Sequence, residues 1–142
     1  MHEEYMRQAL ELAWEAAAAG EVPVGCVVVQ KGRVVGRGRN RREEEKNPLA
    51  HAELDAIADA CRRYGDWRLK GARLYVTLEP CPMCAGGIIS ARIPEIYYGA
   101  KDAGFGACGS ILNLFEEDFR HHPKIVGHIL EAECAALLRD FF

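Results

Sequence analysis

The stretch Ala72-Arg-Leu-Tyr-Val-Thr-Leu-Glu-Pro-Cys-Pro-Met-Cys84 predicts a strand that runs directly into the first turn of a helix. The first seven residues carry the aliphatic and aromatic side chains typical of strands. Pro82 suits the first position of a helix, where a missing backbone N–H costs nothing. Cys81 and Cys84 would then lie at a helix N-terminus, whose partial positive charge favours the thiolate that binds metal.

A second motif, His51-Ala-Glu53, precedes Cys81 by 30 positions. One imidazole and two thiolates give zinc three protein ligands and leave the fourth position open to water, as catalytic zinc sites do. Glu53, two residues from the histidine, would be available to move protons. H-x-E followed by P-C-x-x-C is an established signature of zinc-dependent nucleobase deaminases. We therefore predict one zinc ion per chain, held by His51, Cys81 and Cys84, with Glu53 as the catalytic residue.

His51 and Glu53 can serve one site only if a helix begins close to them. Two residues that are two positions apart in a helix point about 200° away from each other and do not share a face. Side chains tilt toward the helix N-terminus, so both can lean over the end of the helix at its first turn. We therefore predict that the helix ending near Gly65 begins within one or two residues of His51.

Other interpretations of the cysteine pair remain open. Cys81-Pro-Met-Cys84 resembles the redox motif of glutaredoxin-type proteins, but a thiol oxidoreductase would place it after an early strand and would not need His-Ala-Glu. A closed structural zinc site would need a fourth protein ligand. A zinc-binding interaction module without turnover is a third alternative. The candidate fourth ligands are Cys108, His121, His122 and His128, and the cysteines expected to be small core residues are Cys26, Cys61, Cys108 and Cys134.

Length and composition predict a single globular domain over residues 1–142, since 49% of the residues are apolar and 27% are charged. No apolar run approaches the ~18 residues that a membrane span requires. The first four residues, Met1-His-Glu-Glu4, lack the basic and apolar regions of a secretory signal. We therefore expect a cytoplasmic protein without a membrane partner, in which reduced cysteines bind metal rather than pair as disulfides.

The formal net charge of −3 argues mildly against a general nucleic-acid-binding protein. Five arginines nevertheless lie between positions 33 and 42, and three glutamates follow them at once. They form either a solvated loop of mixed charge or a local patch that contacts phosphate. The arginines are Arg33, Arg37, Arg39, Arg41 and Arg42.

Periodicity and turn residues predict the remaining elements. A hairpin followed by alternating helices and strands indicates an α/β fold, with a mixed sheet and helices on its faces. The predicted helices cover about 6–17, 54–61, 82–92, 111–115 and 131–141. The predicted strands cover 24–30, 33–38, 72–78, 95–100 and 124–129, and the hairpin turns at Lys31-Gly32.

Almost the whole chain resembles the bacterial tRNA-specific adenosine deaminases, which convert adenosine at the wobble position of an anticodon to inosine. The zinc motifs alone indicate only the wider cytidine-deaminase-like superfamily. Segments outside them point to the tRNA branch: Glu21-Val-Pro-Val-Gly25, Thr77-Leu-Glu-Pro-Cys81 and Glu133-Cys-Ala-Ala-Leu-Leu-Arg-Asp-Phe-Phe142.

The resemblance implies a three-layer α/β/α sandwich around a five-stranded mixed sheet, a homodimer, and the anticodon loop of a tRNA as substrate. It also implies roles for four residues in substrate binding. Asn40 would hydrogen-bond the flipped purine, Val22 and Pro23 would line the base pocket, and Asp102 would contact the ribose beside the target. The nearest alternative is a deaminase of a free base or nucleoside, of the guanine or cytosine type, with the same zinc site.

Overall fold

A computed structural model describes all 142 residues and contains one five-stranded sheet covered by helices. The strands are β1 (Gly25–Gln30), β2 (Arg33–Arg39), β3 (Arg73–Leu78), β4 (Glu95–Ala100) and β5 (Lys124–Val126). The helices are α1 (His2–Ala18), α2 (Arg42–Glu45), α3 (Ala52–Tyr64), α4 (Pro82–Ser90) and α5 (Glu131–Phe141), with a 3-10 turn at Leu114–Glu116. None of these helices is both long and apolar enough to cross a membrane.

The strand order is β2-β1-β3-β4-β5, and the sheet is mixed. β1 is antiparallel to both β2 and β3, whereas β3, β4 and β5 run parallel to one another. α3 and α4 pack on one face of the sheet, around Val28, Leu74 and Val76. α1 and α5 pack on the other face, around Val27 and Tyr75. The expected three-layer α/β/α sandwich with a five-stranded mixed sheet is confirmed.

The hairpin forms where the sequence predicts it. Lys31 and Gly32 have φ of 50° and 73°, the left-handed conformation that both central residues of a type I′ turn adopt. This turn matches the twist of β1 and β2 and sets their register, with Gly25 opposite Arg39. A bulge between Val28 and Val29 interrupts the register once.

Three elements differ from the sequence expectation. The charged stretch after Arg41 forms the short helix α2 instead of a loop. The short helix expected at 111–115 is a 3-10 turn at Leu114–Glu116, where the Asn113 side chain accepts a hydrogen bond from Phe115 N–H. β5 ends at Val126, and His128 and Leu130 have φ of 69° and 52°, which ends the extended backbone expected to reach residue 129.

Helix α3 lies unusually close to strand β2. A Cβ atom added to Gly36 would lie 2.3 Å from the Ala56 carbonyl oxygen, and one added to Gly38 would lie 2.3 Å from that of Ala52. Only glycine leaves room for this approach, and it brings the first turn of α3 against the sheet. The position of His51, immediately before Ala52, therefore depends on these two glycines.

Gly38→Ala should lower the free energy of unfolding by about 1–3 kcal/mol, because the new methyl group must displace the backbone of α3. Urea denaturation followed by circular dichroism measures the change. Arg37→Ala is the matched control, since Arg37 is exposed on the other face of the same strand, and it should stay within about 0.5 kcal/mol of wild type. Equal stability of Gly38→Ala and wild type would contradict the close packing.

Candidate metal centre and its cavity

The N-termini of two helices meet at the candidate site. His51 and Cys81 are the residues immediately before α3 and α4, and both have extended backbones, with ψ of 151° and 172°. Pro82 occupies the opening of α4, as the sequence predicts. The prediction that α3 begins within two residues of His51 is also confirmed, because the helix starts at Ala52.

The imidazole and the two sulfurs lie close enough to hold one metal ion. His51 Nδ1 is 3.4 Å from Cys84 Sγ and 3.7 Å from Cys81 Sγ. All three atoms lie within 4.8 Å of one another. A tetrahedral zinc ion with its usual bond lengths places nitrogen and sulfur ligands about 3.6 Å apart. The donor set therefore fits one zinc ion per chain.

The four residues considered as a further protein ligand take no part in this cluster. His121 Nε2 hydrogen-bonds the Ile93 carbonyl at 2.7 Å, His122 Nδ1 faces the Phe115 carbonyl, and His128 pairs with Glu131. Cys108 is buried in the core, as are Cys26 and Cys134, while Cys61 is half-buried. Three protein ligands remain, which is the number found in catalytic rather than structural zinc sites.

The thiols of the two neighbouring cysteines, Cys81 and Cys84, have pKa values shifted in opposite directions. Hydrogen bonds from Cys84 and His51 lower the pKa of Cys81 to about 4, although burial opposes this. The pKa of Cys84 is raised by its hydrogen bond to Cys81 and by burial. A second thiolate beside the first would be costly without a cation, because two like charges would share a buried space. A divalent cation at this point removes that conflict.

Glu53 lies in the first turn of α3 and is only 4% exposed. Burial raises the pKa of its carboxyl to about 7. A carboxyl that titrates near neutrality can both accept and release a proton under physiological conditions. Its side chain lines the same cavity as His51 and Cys81.

The cavity above the cluster has a volume of about 630 Å³, within the range of small-molecule sites. Of the residues expected to bind substrate, Val22, Asn40 and Asp102 line it. Pro23 does not line it: Val24 N–H donates to the Val22 carbonyl at 2.9 Å, so Pro23 is the central residue of a tight turn, and it is buried. Val24, which follows this turn, lines the cavity.

Asn40 is 4% exposed and is held firmly in one orientation. Its amide nitrogen donates to the Val22 carbonyl at 3.2 Å, and its amide oxygen accepts from Arg42 N–H at 3.1 Å. An amide has two donors, and its oxygen has two lone pairs. One donor and one lone pair of Asn40 are thus still available to a ligand in the cavity.

Two buried glutamates near the cavity, Glu21 and Glu79, were not predicted from the sequence as site residues. Glu21, 1% exposed, accepts hydrogen bonds from the backbone N–H groups of Glu43 and Glu44 at the start of α2. Glu79, 2% exposed, accepts from the backbone of the loop that follows β4. The sequence signal that could have identified them is a single acidic residue directly beside an apolar segment. An acidic side chain at such a position is buried only when it has bonding partners.

Positive charge at the cavity comes from Arg42 and Lys101, which line it and take part in no ion pair. Arg39 and Arg41, by contrast, both pair with Glu44, at 3.0 and 3.1 Å. The mixed charge of the cluster thus pairs internally at these two residues, although Arg39 lies in β2 and not in a solvated loop. Arg42 alone of the cluster faces the cavity.

The sequence profile of the cytidine and deoxycytidylate deaminase zinc-binding region matches residues 1–100. The tRNA-specific adenosine deaminase of Bacillus subtilis is 45% identical over 139 residues, which cover 97% of this chain and 86% of that protein. A solved tRNA:A34 deaminase superposes with a TM-score of 0.92 at 44% identity, over 95% of this chain and 99% of the other. The guanine deaminase of Bacillus subtilis superposes with a TM-score of 0.69 at 38% identity, over 75% and 71% of the two chains.

Cys84→Ser should weaken zinc binding by more than the ~10–100-fold that loss of a residue supporting a ligand costs. Metal analysis of the purified protein, followed by competition with a chelator, measures the loss. Cys61→Ser is the control, because this half-buried thiol lies outside the cluster, and it should keep wild-type zinc content. Full occupancy in Cys84→Ser would show that the three residues do not form the metal site.

Proposed function

The chain belongs to the cytidine and deoxycytidylate deaminase family and, within it, to the tRNA-specific adenosine deaminases, and we propose that it hydrolyses adenosine to inosine at the wobble position of a tRNA anticodon. The observation that carries the proposal is a zinc-type cluster of three ligands that opens, beside buried Glu53, into a cavity able to hold a base. The reaction consumes one water and releases ammonia.

In this mechanism His51, Cys81 and Cys84 hold the metal and Glu53 moves the protons. Zinc, when bound, lowers the pKa of a coordinated water to about 7 and so supplies a nucleophile at neutral pH. Glu53 would accept a proton from the attacking water and deliver it to ring N1 of adenine as the water oxygen bonds to C6. The remaining proton of that water would then pass through Glu53 to the amino group, which leaves as ammonia.

The base must be out of its stack before C6 can be reached. Val22 and Val24 offer apolar walls to an extruded purine, and the free donor and lone pair of Asn40 suit a purine edge. An anticodon loop presents unpaired bases that can be extruded at little cost. These features support adenosine in a loop as the substrate.

The groups around the base pocket favour a nucleotide within RNA over a free base. Arg42 and Lys101 have no partner within the protein and would be of no use to a neutral base, but they can bind phosphate. Asp102 can accept a hydrogen bond from a ribose hydroxyl, the group that distinguishes RNA from DNA. We infer that the enzyme works in the cytoplasm, where its tRNA substrate and reduced cysteines are found together.

Glu53→Gln should lower kcat for inosine formation in an anticodon stem–loop by at least about 10²–10⁴-fold, because the amide cannot carry the proton. Zinc content should be unchanged, since Gln fills the same space and the three ligands remain. The assay separates inosine from adenosine after nuclease digestion, with guanine, cytosine and cytidine as competing substrates.

Glu95→Gln is the matched control because its carboxylate pairs with Arg73, away from the cavity. It should keep wild-type turnover. Full activity of Glu53→Gln would refute the proton shuttle. Turnover of guanine alone by the wild-type protein would instead favour a free-base deaminase.

We further propose that the protein is a homodimer and that the outer face of α4 forms the interface. A Cβ added to Gly86 on this helix meets no atom within 4 Å. Glycine weakens a helix by about 1 kcal/mol relative to alanine, and close approach by a second copy explains its presence. The segment beside α4 exposes three large apolar side chains, Ile111 at 60%, Leu112 at 44% and Phe119 at 44%.

Gly86→Arg should convert a dimer into a monomer, because the new side chain places bulk and charge on the proposed interface. Sedimentation equilibrium of the wild-type and variant proteins measures the mass. Ala18→Arg, at the exposed end of α1 on the opposite face of the sheet, is the control for an added positive charge and should leave the mass unchanged. A monomeric wild-type protein, or a dimeric Gly86→Arg, would contradict this interface.

A further inference from the structure

Glu79 is a buried carboxylate with no cationic partner. It is 2% exposed, and none of the ion pairs in the protein includes it. This carboxylate is therefore stabilised by hydrogen-bond donors of the surrounding chain.

Four donors surround the carboxylate, and all come from one loop. Oε1 accepts from Asp102 N–H at 3.1 Å and from the Ser110 hydroxyl. Oε2 accepts from Cys108 N–H at 2.8 Å and from Ser110 N–H at 3.1 Å. The first and last residues of the 102–110 loop are thus tied to the same side chain.

The loop closes tightly around this anion. A Cβ added to Gly106 would lie 2.4 Å from both Cδ and Oε2 of Glu79, so only glycine fits there. Ala107 N–H also donates to the Pro80 carbonyl at 2.8 Å. Glu79 and Pro80 directly precede Cys81, so the contacts join the loop to the segment that carries the metal ligand.

The same loop supplies one wall of the cavity. Asp102, Ala103 and Phe105 of the loop line the cavity, as does Lys101 directly before it. Asp102 Oδ1 is already occupied by Gly104 and Phe105 N–H groups, whereas no hydrogen bond within the chain reaches Oδ2. A free carboxylate oxygen in the same cavity wall as Lys101 suits a sugar hydroxyl next to a phosphate.

We propose that Glu79 is a positioning residue that holds this wall at a fixed distance from Cys81 and thereby sets the affinity for the sugar–phosphate part of the substrate. This inference rests on the proposed function, since it assigns the wall to a nucleotide of an RNA. Glu79 itself does not touch the reacting atoms, because its oxygens are taken up by the loop. The chemical step stays with Glu53.

Glu79→Gln tests the role, because the amide fills the same space but presents a donor where Glu79 offers a second acceptor. In the zinc-loaded, full-length protein, KM for an anticodon stem–loop should rise about tenfold, equivalent to about 1.4 kcal/mol, with kcat close to wild type. The Kd of the stem–loop, measured by fluorescence anisotropy, should rise by a similar factor. Zinc content should not change.

A double variant of Glu79 and Asp102 shows whether Glu79 acts by positioning the cavity wall or whether its substitution causes a general loss of structure. If Glu79 acts through the wall, its substitution should have little further effect on KM in an Asp102→Ala protein, since interacting residues are not additive. Ser110→Ala removes one of the four donors and should raise KM in the same direction by a smaller factor. This variant also serves if Glu79→Gln does not fold. Glu95→Gln is the matched control and should leave KM unchanged.

The outcomes distinguish this inference from the proposed function. A wild-type protein that forms no inosine in the stem–loop overturns the proposed function and this role with it. If the wild-type protein is active, three results would overturn the role of Glu79 and leave the proposed function intact. Glu79→Gln and Ser110→Ala could both keep the wild-type KM, or Glu79→Gln could lower only kcat. The effect of Glu79→Gln on KM could also add fully to that of Asp102→Ala.

Discussion

The meeting of two helix N-termini is the constraint on which the site depends. His51 and Cys81 both stand immediately before a helix, so their side chains converge on one point. That convergence requires the helices to pack closely. Gly38 lets α3 approach the sheet, and Gly87 leaves room for Leu54, whose Cδ2 would lie 2.7 Å from an added Cβ. The same helix ends supply the positive potential that favours thiolates.

The segments around the cavity are positioned by buried carboxylates and not by helix packing. A buried carboxylate costs free energy unless hydrogen-bond donors replace water around it. Glu79 meets this condition with donors of the 102–110 loop, and Glu21 meets it with backbone N–H groups at the start of α2, so each carboxylate fixes the segment that folds around it. The metal cluster and the cavity walls thus have separate origins, in helix packing and in buried anions.

Sequence patterns predicted most of the architecture because strong local signals accompany most elements. The turn at Lys31-Gly32, the Gly65 end of α3 and the Pro82 start of α4 all appear as expected. The failures occur where local signals are weak. α2 is a four-residue helix whose first backbone N–H groups are bound by Glu21, a residue from another part of the chain. Neither its length nor its composition predicts a helix. The early end of β5 follows from left-handed backbone at His128, a conformation that is uncommon outside glycine and that no local pattern predicts here.

The sequence by itself determined the ligand types, the place of Glu53 beside them and the order of the strands and the longer helices. These follow from residue chemistry and from spacing along the chain. Tertiary structure alone decided that Val24 and not Pro23 lines the cavity, and that Arg42 and Lys101 take part in no ion pair. It also decided that the 102–110 loop folds around the Glu79 carboxylate. Such facts depend on contacts between segments distant in sequence. No local pattern encodes which backbone N–H groups will surround a buried charge.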